Sequence, residues 1–153
     1  MTKIFSKVAL VTGGFDPIHS GHITYFNNAK LLAPYLIVGI NSDEWLERKK
    51  QNKLQNWKER EIIIKHLKMV DLVISYDDQD DSSCAAISKC LKLSEKVVFC
   101  NGGDRKKENI PEIEKFKDND RVQFEFGIGG DDKLNSSSWI LNEYFERQLK
   151  LYD

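Results

Sequence analysis

The residues best equipped for chemistry lie close together in Thr12-Gly13-Gly14-Phe15-Asp16-Pro17-Ile18-His19-Ser20-Gly21-His22. Gly13 and Gly14 carry no Cβ, so a ligand can approach the backbone closely there. Pro17 stiffens the loop that follows. His19 and His22 flank Gly21 where a helix is expected to begin. A helix N-terminus presents unpaired N–H groups and the positive end of the dipole to an anion. Two imidazoles beside it add further donors for phosphate oxygens. The arrangement suits a polyphosphate whose charge grows during reaction. A chance turn with two histidines would not also supply the glycines, the spacing of three and the position after an apolar strand. His66 stands alone within a helical pattern and reads as a surface or core histidine.

These residues need elements to hold them. Short solid apolar runs at Val8–Val11, Leu36–Ile40, Leu72–Ile74 and Val97–Cys100 predict strands buried on both faces. The run Val122–Phe126 alternates, which predicts an edge strand. Between the runs lie helical patterns. Ile23, Phe26, Lys30 and Ala33 share a face after Gly21. A second helix is expected from Asn56, with Glu59 completing a capping box and Ile62, Ile63, Leu67 and Val70 repeating at helical spacing. A third is expected over Ser82–Leu91, and a last one opens at Ser136-Ser137-Ser138 with the stripe Ile140, Leu141, Tyr144, Phe145 and Leu149. Strands alternating with helices predict an α/β fold: a Rossmann-like, doubly wound parallel sheet of about five strands with helices on both faces. Ligands of such sheets bind at the C-terminal strand ends.

At 153 residues the chain is expected to form a single domain over 1–153. Lys and Arg number 23 and acids 24, a net charge of -1, so no global attraction to nucleic acid or membrane is expected. No apolar run approaches the ~18 residues that span a bilayer. Met1–Ser6 lacks a signal-peptide layout, so a cytoplasmic protein is expected. Cys84, Cys90 and Cys100 form no metal-ligand spacing, and no protein-held metal is expected. Asp77–Asp81 reads as a solvated acidic connection rather than a calcium loop.

The segment Gly14–His22 resembles the His-x-Gly-His signature of the nucleotidyltransferase superfamily. The rest of the chain is similar to its short cytidylyltransferase-like branch, which holds glycerol-3-phosphate cytidylyltransferase and the adenylyltransferase domain of ADP-heptose synthase. Asn41-Ser42-Asp43-Glu44 after the second strand, Lys49-Lys50, Glu59-Arg60, Val70-Asp71-Leu72-Val73-Ile74 and Gly102-Gly103-Asp104 carry that likeness. It implies transfer of CMP or AMP from CTP or ATP, with Mg²⁺ or a similar divalent cation, to a phosphorylated sugar or polyol, with release of pyrophosphate. It also implies a homodimer.

The resemblance assigns His19 and His22 to the triphosphate and the transition state. Thr12, Gly13, Gly14, Phe15 and Gly21 would surround the nucleotide phosphates, and Asp16 would fix the loop or meet the acceptor side. Lys49 or Lys50 would touch phosphate from a mobile segment, although a run of Arg48, Lys49, Lys50 and Lys53 alone reads as a solvated surface. Arg60 is assigned to catalysis, against the plain alternative of an ion pair with Glu59 or Glu61. Asn101, Gly103 and Asp104 would meet the nucleotide, and Arg105 an acceptor phosphate. Ser136, Ser137 and Ser138 would bind phosphate at the last helix, where one serine would suffice as a cap.

One departure stands out: where the cytidylyltransferases place an arginine before their Ser-Thr-Thr, this chain has Gly129–Asn135 with Lys133. An alternative without turnover is a nucleotide-binding sensor or regulatory module of the same fold. A dinucleotide-dependent oxidoreductase would need Gly-x-Gly-x-x-Gly after the first strand, and Gly13-Gly14-Phe15-Asp16 is not that.

Overall fold

The computed structural model describes residues 3–102, 110–129 and 136–152. Their elements run β1 (Phe5–Gly13), α1 (Ser20–Lys30), β2 (Tyr35–Ile40), α2 (Asp43–Lys50), α3 (Trp57–Lys65), β3 (Leu72–Ile74), α4 (Cys84–Leu93), β4 (Ser94–Cys100), α5 (Pro111–Phe116), β5 (Val122–Glu125) and α6 (Ser137–Lys150). The five strands form one parallel sheet in the order β3-β2-β1-β4-β5. This is the α/β architecture that the strand–helix alternation predicts.

Strand side chains alternate between the two faces, and the core divides accordingly. Ala9, Val11, Leu36, Val38 and Ile40 meet Phe26 and Ala29 of α1 and Ile64 of α3. Val8, Leu10, Ile37, Val97 and Phe99 meet Ala86, Ile87 and Cys90 of α4 and Phe116 of α5. β1 lies at the centre, with Val8 through Val11 fully buried. From β1 the chain winds outward through β2 to β3, then returns past β1 to β4. The connections after β1 and β4 therefore leave in opposite directions, and a crevice opens at their C-terminal ends.

Several expectations need correction. Leu72–Ile74 is only half-buried, because β3 is a sheet edge like β5. The lysine-bearing stretch forms a helix, α2, which the sequence reading did not assign. Ser42 Oγ caps it by accepting the Trp45 N–H at 3.0 Å, Asp43 and Glu44 face the positive end, and Arg48, Lys49 and Lys50 the negative end. Asn56 caps α3 through the Glu59 N–H at 2.9 Å, but the helix ends at Lys65. His66 is its C-cap and is exposed rather than mid-helix, and Leu67 and Val70 lie beyond it. α4 begins at Cys84, not Ser82, and α5, opened by Pro111, was not foreseen.

Candidate active site

The histidine loop leaves β1 into α1, and His19 is the residue that caps the helix. Its Nδ1 accepts the Gly21 N–H at 3.1 Å, while the His19 N–H is accepted by His22 Nδ1 at 3.3 Å. This is a capping box built from two histidines. The rings stack with centroids 3.8 Å apart and planes at 26°. An Nδ1 that accepts a hydrogen bond holds no proton, so the proton of each imidazole sits on Nε2 as a donor. Burial, with a smaller contribution from His19, lowers the His22 pKa to about 3. With Nδ1 accepting, each ring presents an Nε2–H donor at a helix N-terminus.

Phe15 orients this pair. It takes a left-handed backbone (φ 53), is buried, and meets the His22 ring edge-on at 5.0 Å and Phe26 at 5.2 Å. The Asp16–Pro17 bond is cis. At both glycines the space that a Cβ would fill is already taken. A Cβ on Gly13 would lie 2.9 Å from the Phe15 ring, and one on Gly14 would lie 2.8 Å from Leu46 Cδ2 of α2. Gly21 supplies the N–H that His19 accepts.

Asp16 and Arg60 bind the loop to α3 in both directions. The Asp16 carboxylate accepts the Leu54 N–H at 2.7 Å and the Gln55 N–H at 2.8 Å. Arg60 is 1% exposed. Its Nη1 donates to the carbonyls of Gly14 and Asn41, each at 2.8 Å, its Nε to Gln55 O at 3.0 Å, and its Nη2 to Asp43 at 2.7 Å. The ion-pair partner is thus Asp43, not Glu59 or Glu61. The guanidinium faces protein carbonyls, which makes Arg60 a positioning residue here rather than a catalytic one.

Ser136 caps α6 by accepting the Trp139 N–H at 3.0 Å, and Ser137 Oγ donates to Pro17 O at 2.8 Å. The second serine therefore fastens the start of α6 to the histidine loop, and Ser138 stands exposed next to it. Thr12 Oγ1 lies 2.7 Å from Ser83 Oγ at the start of α4. Asn101 is buried and ties β4 to β5 through Glu125 O, with its own N–H at 2.8 Å and Nδ2 at 3.2 Å. Gly102 has open space where a Cβ would stand. Gly103, Asp104, Arg105 and the stretch 130–135 with Lys133 lie outside the described residues. Lys49 pairs with Asp81 at 3.1 Å, and Lys50 stands exposed at the end of α2.

The acidic stretch is not simply solvated. Asp78 is buried and accepts from Ser42 N, Ser42 Oγ and Asn41 Nδ2 at 2.8, 2.7 and 3.0 Å. Tyr76 hydroxyl accepts a second bond from Asn41 Nδ2 at 2.9 Å, and burial pushes its pKa up to about 12. Buried Glu112 accepts the Ser83 N–H at 2.8 Å. Sequence reading missed these groups. The strand-end rule points to Tyr76, two residues beyond β3, whereas Asp78 and Glu112 act over long separations that leave no local signature. A cavity of about 200 Å³ opens one strand away, at the ends of β2 and β3, between Ser42, Asp43, Glu44, Trp57, Ser75 and Tyr76. Among the described residues no group of three His, Cys, Asp or Glu side chains is placed to hold a metal ion.

The model of the cytidylyltransferase-like family matches residues 10–104, from the middle of β1 to the glycines after β4. The chain belongs to the cytidylyltransferase-like family. Within it, the chain is 35% identical over 106 residues to the bifunctional protein HldE of Citrobacter koseri, covering 68% of this chain and 21% of that protein. It is 29% identical over 123 residues to the HldE of Helicobacter pylori strain HPAG1, covering 79% and 25%. The chain thus spans a quarter or less of the length of these curated relatives. The cytidylyltransferase-like fold is shared with the crystal structure of the lipopolysaccharide core biosynthesis protein from Thermoplasma volcanium GSS1. The TM-score is 0.62 at 22% identity, covering 78% of this chain and 93% of that one. No helix among the described residues is long and apolar enough to cross a membrane.

Proposed function

We propose that this chain is a nucleotidyltransferase that moves CMP or AMP from CTP or ATP to the phosphate of a phosphorylated sugar or polyol. An acceptor phosphate oxygen attacks the α-phosphorus in line. The new P–O bond forms as the bond to the β-phosphate oxygen breaks, and pyrophosphate leaves with that electron pair. No protein nucleophile is required, so catalysis is positioning plus stabilisation of charge on phosphoryl oxygens.

The observation that carries this reading is the histidine capping box. Each Nδ1 accepts a backbone N–H, which leaves the ring proton on Nε2 and puts two imidazole donors at a helix N-terminus. Donors fixed before substrate arrives need no reorganisation as charge develops. Ser137, bonded to Pro17 O, brings a second helix N-terminus to the same loop. The nucleotide enters as its Mg²⁺ complex, in which the cation neutralises phosphate charge. Asp16, the one carboxylate of the loop, already accepts two backbone N–H groups. The chain itself would thus contribute donors and lysine charge rather than metal ligands. The nearby cavity, with carboxylates at Asp43 and Glu44 and hydroxyls at Ser42 and Ser75, suits the polyhydroxyl part of an acceptor better than another anion.

The test is steady-state pyrophosphate release from MgCTP and MgATP with glycerol 3-phosphate and sugar phosphates as acceptors. His19→Ala and His22→Ala should each lower kcat by about 10²–10³, the cost of losing one preorganised donor. His66→Ala, at the exposed end of α3, should stay within about twofold of wild type. Nucleotide binding without turnover in wild type would support the alternative of a sensor or regulatory module. Wild-type kcat in both loop variants would overturn the mechanism.

A further inference from the structure

We propose that Asp81 is a counter-ion that Lys49 gives up when polyphosphate enters, which makes Lys49 rather than Lys50 the α2 cation of the site. The inference rests on the nucleotide-binding reading of the histidine loop and identifies which lysine serves it. The turn 78–81 grips α2 at both ends. At the N-terminal end, Asp78 holds Ser42 N and Ser42 Oγ. At the C-terminal end, Asp81 accepts from Arg48 Nε at 3.2 Å and Nη2 at 2.7 Å, while Arg48 Nη2 also reaches Asp78 O at 3.0 Å. Lys49 Nζ, 3.1 Å from the other Asp81 oxygen, adds a bond to a helix already fastened without it.

Its location says what the lysine is held for. Two residues after Asp81, Ser83 meets Thr12, the residue immediately before the two glycines of the loop. The turn that holds the Lys49 ammonium is therefore tied, through Ser83, to the C-terminal end of β1. Lys49 and Asp81 are 44% and 38% exposed, and an ion pair in that much water is weak. Its exchange for a multiply charged phosphate leaves nothing unpaired, because Asp81 keeps the two-pronged contact with Arg48. Asp81 acts here as a positioning residue: it holds the cation at the mouth of the site and competes with the ligand for it.

Asparagine is the appropriate replacement, since Asp81 has φ 63 and asparagine accepts a left-handed backbone readily. Binding of inorganic tripolyphosphate, MgATP and MgCTP to the full chain would be measured by titration calorimetry for wild type, Asp81→Asn, Lys49→Ala and the double variant. Asp81→Asn should tighten binding by roughly two- to fivefold, the range expected for removing a competing exposed pair. Lys49→Ala should weaken it, and in the double variant the gain from Asp81→Asn should vanish. That non-additivity separates competition for Lys49 from a merely structural role for the turn. An unchanged or weaker Asp81→Asn, a gain that survives Lys49→Ala, or a gain abolished by Lys50→Ala instead would each overturn the assignment. Binding of tripolyphosphate with this pattern but of neither nucleotide would leave the counter-ion in place and remove the nucleotide reading.

Discussion

His22 sets the acid side of the stability profile. Unfolded, an imidazole titrates near 6.5, but in the folded chain this one titrates at about 3. Between those values the unfolded chain binds a proton that the folded one refuses. Stability is therefore full above about pH 6.5 and falls as pH drops toward 3, by up to about 1.4 kcal/mol per pH unit. Urea unfolding at about pH 7 and pH 5 should show the loss in wild type and a smaller one in His22→Asn. Equal losses would mean that His22 does not titrate as its burial requires. The candidate residues were legible to different degrees. The histidine pair was readable because both its donors and its acceptors lie within four consecutive residues. The role of Arg60 was not, because what decides it is burial among the carbonyls of Gly14, Asn41 and Gln55, which only the folded chain brings together. The packing demand at Gly14 is hidden for the same reason, since Leu46 reaches it only in the folded chain.

At the level of elements, α1, α3 and α4 are foreseen, but the residues that pack them on the sheet are only partly those of the apolar pattern: Phe26 of α1 is among them, whereas α3 packs through Ile64 and α4 through Ala86, Ile87 and Cys90. Helix α2 buries only Leu46, and α5 is six residues long, so neither carries a stripe. The connection from β1 through α2 to α3 is consequently held by polar contacts, and Arg60 is at its centre. Arg60→Lys keeps the charge but cannot reproduce the planar fork that serves three carbonyls and Asp43. Denaturant unfolding should show a loss of about 1–3 kcal/mol, the cost of leaving buried carbonyls without their donor. Gly14→Ala should cost about 1–3 kcal/mol by pressing on Leu46. Gly102→Ala, with open space around it, should change stability by less than about 0.5 kcal/mol. If Gly14→Ala behaves like Gly102→Ala, α2 does not pack against the loop as described.

Across the whole molecule, helices pack on both faces of the sheet and Val8–Val11 of β1 are fully buried, yet among the described residues α6 buries none of its own. Tyr144, Phe145 and Leu149 remain 55%, 52% and 68% exposed along it. The Ser137 hydroxyl ties its start to the loop through Pro17 O. An element with few buried contacts opens at a small fraction of the global unfolding free energy. In native-state hydrogen exchange, amides of α6 should lose protection long before those of β1 and β4. If Ser136–Ser138 hold phosphate, saturating MgATP or MgCTP should slow exchange in the first turns of α6. Exchange at the core rate without ligand would contradict the loose attachment. On the proposed phosphate role of these serines, the fraying equilibrium of this one helix would set how often the binding surface is complete, and ligand affinity would carry a term for ordering α6. A substitution that raises helix propensity on its solvent face, far from any phosphate, would tighten binding by populating the ordered helix beforehand.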